Sequence, residues 1–412
     1  MNRLLTLAAF CGLQLCATVY YVDDRNGADS NPGRSSATPW RTLARVQIAK
    51  LQPGDYVLLK RGGVWRESLT IDSSGSVDTP LFFGSYGDGA KPIVEGDVAP
   101  GSGLVRVSQA AYVTVRGWQI RGNSGHGVEV YVANNIRLLE LEIVSNKQHG
   151  VSVYNSDTVS IEDSRIMSNG ADPAGRFAGI AIDGNGGEWG GFLIRGNTIA
   201  NHNTGEGWLS CNGLSFGHTG NNIPIIRDIK VIANVIDRNG NPNQNQAGRG
   251  ITGSFHGDIE ISRNTISNSA SAGIYLGDYG LAIAITIRQN LFLNNQLRQF
   301  GGTTSLRSIA EHNTVMVNDP HATAMGVEIG GTGQWNIVNN TFAYLTNTDD
   351  EFRGFIRIND NDQQRLLVSD YNVFYSAGPR RWKTADDRTL DFRGWQAAGF
   401  DRNSAAPVGE PR

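Results

Sequence analysis

Gly250-Ile251-Thr252-Gly253, Asn264-Thr265-Ile266, Gly273-Ile274-Tyr275-Leu276 and Asn290-Leu291-Phe292 follow one another along the chain. Two phrases alternate here: a Gly that opens a short apolar strand, and an Asn followed one residue later by an apolar side chain. Outward from this stretch, the Gly phrase recurs at Gly127, Gly150, Gly179, Gly213 and Gly326. The Asn phrase recurs at Asn197, Asn234, Asn313, Asn340 and Asn372. Between Gly127 and Gly273 successive Gly phrases lie roughly 23 residues apart at the shortest and somewhat under 40 at the longest, a period of stacked units that bury a core only against one another. The shortest unit holds three short strands and their turns, with no room for a crossover helix of about a dozen residues. Within a unit, apolar residues alternate with polar ones at Val151, Val153, Val159, Ile161 and Ile166, which is the period of strands. Asn at a fixed place suits a turn, because it tolerates the left-handed conformation and can hydrogen-bond its own backbone or the Asn one coil away. The pattern predicts an all-β solenoid, a parallel β-helix. Leucine-rich repeats need a regular Leu pattern and a propeller needs four strands per period; neither is present.

The first residues read as a secretory signal, residues 1–17. Arg3 supplies a positive start, Leu4 to Leu15 an apolar stretch, and Ala17 a small residue at the cut. That stretch is too short to span a bilayer, and no other segment approaches a membrane span. Cys11 and Cys16 fall in the signal, which leaves Cys211 alone and no intramolecular disulfide. A lone Cys of this kind reads as a small buried hydrophobe. With 51 Gly, 18% charged residues and a formal net charge of −3, the chain carries no Lys/Arg block or zinc spacing, so nucleic acid is not an expected partner. The expected state is a monomer in the periplasm or outside the cell.

Residues 18–100 read as an N-terminal cap and first coils, 101–375 as the β-helix, and 376–412 as a C-terminal tail or cap. Ala44 to Leu51 is the best short helix candidate, ended by Pro53-Gly54-Asp55. Such a helix can cover the open strand edges of the first coil. Tyr20 to Gly33, Trp40-Arg41-Thr42-Leu43, Pro53-Gly54-Asp55, Gly62 to Glu67 and Tyr86 to Pro92 resemble the opening of secreted right-handed β-helix proteins of the pectate lyase superfamily. Asp370 to Tyr375, Trp395-Gln396 and Gly399 to Ser404 resemble their ending. The resemblance implies a right-handed parallel β-helix (solenoid) with a short N-terminal capping helix. Lyases, glycosidases, epimerases and non-enzymes share that superfamily, so the activity has to be read from the site.

Residues at equal offsets from the repeated Gly should line up on one face. Just before it stand His126, His149, Asn212 and Arg249, with Lys147 and Arg176 three residues before theirs. Just after the strand stand Tyr131, Tyr154, Asp183, His218, His256, Asp278 and Tyr279. Cleavage of a uronate chain by β-elimination needs a positive group on the carboxylate and a base at the neighbouring carbon. Lys147, Arg176 and Arg249 are candidates for the first role. Lys147, His149, His218 and His256 are candidates for the second. Trp189, Trp208, Asn212 and Tyr279 are expected to bind substrate, the aromatic ones by stacking on sugar rings. Asp183 and Asp278 are candidate ligands for a cation, and the resemblance implies Ca²⁺ with a Lys or Arg base. The bland alternatives are turn capping for the His residues, solvated charge for Lys147 and Arg176, and turn chemistry for the two Asp. The expected function is therefore a polysaccharide lyase acting on an acidic glycan, a polysaccharide partner held in a concave groove that crosses several coils. One rival is a glycoside hydrolase with two carboxyl groups about 5–9.5 Å apart, drawn from Asp183, Glu188, Glu206 and Asp278. The other is a non-catalytic glycan-binding or surface protein.

Overall fold

The computed structural model describes residues 17–172, 175–202, 211–217, 223–240, 248–277, 281–322, 325–347 and 353–407. Residues 1–16 of the expected signal segment, His218, Trp208, Asp278, Tyr279 and Glu206 lie outside them. Each coil contributes three strands. In one coil these are His126–Tyr131, Asn134–Leu139 and Glu142–Val144, and they belong to three different sheets, called I, II and III here. Among the described residues sheets I and II have 13 strands each and sheet III has 12. Among the described residues the pairings along the stack are parallel, except that the last strand of sheet I, Thr389–Leu390, turns back antiparallel on Trp382–Lys383. The chain is a right-handed parallel β-helix, as expected.

The core follows from the alternation read in the sequence. In sheet I Val128 and Val130 stack under Val151 and Val153, then Ile180 and Ile182, all fully or almost fully buried. Sheet III contributes a single file, Ile143, Ile166, Ile199, Ile236, Ile266 and Phe292. The repeated Gly has a steric cause. A Cβ on Gly250 would lie 2.5 Å from the Gly273 carbonyl oxygen, and one on Gly150 would lie 2.6 Å from that of Gly179. Backbone of the next coil occupies the space a side chain would need.

The Asn series forms a ladder at the turn between sheets II and III. Asn234 donates from its backbone N and its Nδ2 to Asn264 Oδ1 at 2.8 and 3.0 Å. Asn264 does the same to Asn290, and Asn290 to Asn313. All four are buried. One detail differs from expectation. The left-handed residue is the one before the Asn, as at Ala233, Arg263 and Gln289 with φ of 56°, 57° and 56°. The Asn carboxamide is committed to the next coil, so the residue ahead of it makes the corner.

The capping helix is α1, Leu43–Gln47, shorter than the expected Ala44 to Leu51. Thr42 caps it by accepting from Arg45 N, and Leu43 and Val46 are buried. It packs on Leu69–Ile71, the first strand of sheet I, where Gln47 Oε1 accepts from Thr70 N at 3.2 Å. The helix thus satisfies an edge amide that would otherwise invite another chain. At the far end α2, Asn361–Leu366, and α3, Phe392–Ala397, accompany the final strands. No helix among the described residues is long and apolar enough to cross a membrane.

Candidate active site

A cavity of about 410 Å³ opens on the outer face of sheet I. Its floor is a column of small residues, Ser152, Ala181, Ser215 and Thr252, in register on adjacent strands. The side chains on either side are larger. Tyr154 and Asp183 stand along one edge, and His126, His149, Asn212 and Arg249 along the other, with Arg176 beside them. The volume falls at the low end of the roughly 300–1,000 Å³ usual for small-ligand sites.

The His and Asn of the second edge have a structural task that explains their spacing. Each caps the backbone amide of the coil above, where the chain enters sheet I. His126 Nδ1 accepts from His149 N at 3.3 Å, and His149 Nδ1 from Ala178 N at 2.9 Å. Asn212 Oδ1 accepts from Arg249 N at 2.9 Å. The two imidazoles are stacked 5.0 Å apart. Burial holds His126 down to about 4, and burial with the neighbouring His126 holds His149 down to about 3. A ring whose Nδ1 accepts from the backbone carries its proton on Nε2. His149 is therefore a donor to anything in the pocket and has no free lone pair with which to take a proton. Its expected role as base does not fit this geometry.

Two other expected bases lie elsewhere. Lys147 is exposed in the turn before sheet I and does not reach the cavity. His256 opens strand His256–Ser262 of sheet II, where it pairs with Ile225. Its Nδ1 accepts from Ala282 N at 3.1 Å. Ser254, not His256, is in register with Gly217 in the pocket edge. Only Phe255 separates the two strands here, so an offset of two residues carries the chain around the corner. Trp189 also lies around a corner, in sheet II. Its indole donates to Gly186 O at 2.9 Å and its ring packs partly on the core, so it does not line the cavity. Cys211 is buried and donates to Gly170 O, and burial pushes its thiol up to about 12, in keeping with an inert hydrophobe.

Arg176, Asp183, Asn212 and Arg249 are brought together as expected. Arg249 is the most informative. Nη1 donates to Thr252 Oγ1 at 2.9 Å, and the guanidinium sits 5.2 Å from the Tyr275 ring centroid. Burial, reinforced by Arg298, lowers its pKa. Among the described residues no carboxylate forms an ion pair with Arg249 or Arg176, whereas Arg298 is paired with Glu328 at 2.7 Å. On the facing edge Asp183 Oδ1 accepts from Gly184 N at 2.7 Å. Burial, with Asp183 and Tyr131 nearby, raises the pKa of Tyr154. Tyr154 and Asp183 are register partners on adjacent strands. The offset column contained Tyr154, but nothing in its local sequence set it apart from Tyr131. Among the described residues no group of three or more His, Cys, Asp or Glu converges. One carboxylate facing two guanidinium groups is a poor match for Ca²⁺, which takes about 6–8 oxygen ligands.

The fold places the chain among right-handed parallel β-helix proteins, and the comparisons agree. Residues 87–199 match the family described as the right handed beta helix region. A lacto-N-biosidase of Bifidobacterium longum subsp. longum is 37% identical over 91 residues, which is 21% of this chain and 6% of that protein. The chain thus spans a small fraction of that relative's length. Among solved structures, pectate lyase Pel9A superposes with a TM-score of 0.52 at 16% identity, covering 72% of this chain and 77% of that one. A GH136 lacto-N-biosidase from Eubacterium ramulus gives 0.49 at 14% identity, over 95% of this chain and 67% of its own.

Proposed function

We propose that the pocket on sheet I binds an acidic, uronate-containing glycan and cleaves it by β-elimination. The observation that carries this reading is Arg249, a partly buried guanidinium in the pocket without a carboxylate partner among the described residues, with the exposed guanidinium of Arg176 beside it. A cation built into a pocket and left uncompensated calls for an anionic ligand. In the proposed reaction Arg249 and Arg176 hold the sugar carboxylate and stabilise the charge that develops on it. The Asp183 carboxylate takes the proton from the carbon bearing that carboxylate. A carbon–carbon double bond forms as the glycosidic carbon–oxygen bond breaks, and the Tyr154 hydroxyl protonates the departing oxygen. Transfer of the proton from Asp183 to the Tyr154 phenolate restores both groups. Adjacent strands lie about 4.8 Å apart, which puts base and acid on the same edge of one sugar.

The test is incubation of the purified protein with uronate polysaccharides, followed by the ultraviolet absorbance of an unsaturated uronate. Asp183→Asn should abolish its formation, because the amide keeps the bond from Gly184 N and loses the basic oxygen. Arg249→Ala should lower kcat/KM by about 100-fold or more. A second reading, glycoside hydrolysis, is favoured by the local identity to a lacto-N-biosidase. It needs a second carboxyl group, and Glu206 and Asp278 lie outside the described residues. New reducing ends without unsaturated product, lost in Asp183→Asn, would replace elimination with hydrolysis.

A further inference from the structure

The expected groove crosses the coils from Gly150 to Gly273, and the floor of small side chains runs for four strands within them. From Ser152 to Thr252 it spans three strand spacings, roughly 14 Å. At each end the same column turns to charged and aromatic residues. Below Ser152 comes Glu129, then Arg106. Arg106 pairs with Glu129 at 3.2 Å and lies over the Tyr131 ring at 4.9 Å, and Tyr131 is stacked in parallel on Tyr154 at 6.0 Å. Above Thr252 comes Tyr275. Its ring lies between the guanidinium groups of Arg249 and Arg298, at 5.2 and 4.5 Å. Arg298 continues to Glu328 at 2.7 Å. Each end of the floor thus meets an Arg–Tyr–Glu crossbar lying over the outer face of the sheet. Each crossbar holds its Arg within ion-pair distance of its Glu, although Nε of Arg106 and of Arg298 makes no aligned hydrogen bond.

We infer that the pocket takes the end of an acidic glycan and not an internal stretch, so that the protein trims short units from a chain terminus. This rests on the acidic-glycan reading above and adds a mode of attack to it. A polymer running along the helix axis would have to climb over Arg106 and Tyr131 at one end and over Tyr275 and Arg298 at the other. A chain end can enter between them and place its carboxylate against Arg249.

Calorimetric titration of the whole protein, with Asp183→Asn present to prevent turnover, tests this without needing a product. The probes are uronate oligosaccharides of increasing length, prepared from polygalacturonate and from alginate. End recognition predicts a Kd per mole of chain that stops changing once the chain fills the pocket. A groove that accepts internal stretches predicts a Kd per chain that falls in proportion to the number of sugar residues. That result overturns end recognition and leaves the acidic-glycan reading standing. Failure to bind any of the probes overturns both. The paired substitution Arg106→Ser with Glu129→Ser extends the small-residue floor by two strands. It should convert the constant Kd into a length-dependent one. If the folded variant keeps a constant Kd, the crossbar is not the wall and the inference falls.

Discussion

His202 stands in a buried ladder that Asn occupies in the coils on either side. This second ladder runs at the turn from sheet III to sheet I, where Asn146 N donates to Asn169 Oδ1 at 3.1 Å. Asn169 N donates in turn to His202 Nδ1 at 3.1 Å, and His202 N to Asn239 Oδ1. His202 Nε2 reaches Ile166 O at 3.1 Å, as Asn169 Nδ2 reaches Ile143 O at 3.0 Å. The imidazole imitates a carboxamide only while neutral, and burial holds it down to about 4. A His in the unfolded chain titrates near about 6.5. The folded pKa is depressed, so the stability is intact above about 6.5, is lost as the pH falls toward about 4, and falls no further below that. The gap corresponds to about 3 kcal/mol. His202→Asn keeps the ladder and removes the titration. Thermal unfolding should show a smaller drop in Tm between about pH 7 and about pH 4 for this variant than for the natural protein. His126 and His149 are common to both proteins and cancel in the comparison. Equal drops would assign the acid sensitivity to another group.

At the scale of the element, the turn ladders do what the strands cannot. Three sheets meeting at tight corners leave inward-facing amides and carbonyls with no strand partner, and the Asn side chains supply one. Asn264 takes two bonds from Asn234 and gives Nδ2 to Val231 O and Asn290 Oδ1 at 2.8 and 3.0 Å. Asn264→Ala strands the Asn234 amide and the Val231 carbonyl in a dry interior, at a cost of about 1–3 kcal/mol. Because a solenoid couples mainly to its nearest neighbours, faster amide exchange should be confined to the coils around Asn234 and Asn290. Hydrogen exchange read by mass spectrometry checks this. Uniform acceleration along the chain would mean that the coils unfold as one unit.

At the scale of the whole molecule, the stack has to stop at both ends. The Asn ladder between sheets II and III ends at Asn372, which has no Asn above it. Asp401 takes that place: Oδ1 accepts from Asn372 Nδ2 at 2.9 Å and Oδ2 from Trp395 Nε1 at 2.8 Å. Ser369 and Ser404 hydroxyls donate to the same carboxylate, and Ser404 Oγ accepts from Asn372 N at 2.8 Å. Asp401 is fully buried, so Asp401→Ala leaves several buried donors without an acceptor. The variant should lose about 3 kcal/mol or more and should associate through its uncovered last coil, since an open solenoid end is a strand-pairing surface. Light scattering against temperature tests this. A variant that melts early but stays monodisperse would show that α3 covers the end without the carboxylate.

The Gly250 and Gly273 phrases, the Asn264 and Asn290 turns and the alternation at Val151 and Val153 were enough for the fold. Each coil repeats one local solution, and stacking adds no choice that a single unit does not already contain. Asp183, Asn212 and Arg249 were legible for the same reason, because equal offsets from a repeated Gly become one face, whereas Arg176 shares its offset with Lys147 and only Arg176 lines the cavity. Tertiary structure alone decided what those residues can do. Whether His149 is a base depends on a backbone amide of the next coil at Ala178, and whether Arg249 is paired depends on Glu328 and Arg298 from later coils. His256 lay two residues past a strand end, where one intervening residue turns the chain onto another sheet. A repeat sets direction and spacing along the chain, but hydrogen-bond state, burial and charge compensation are properties of neighbours that are distant in sequence.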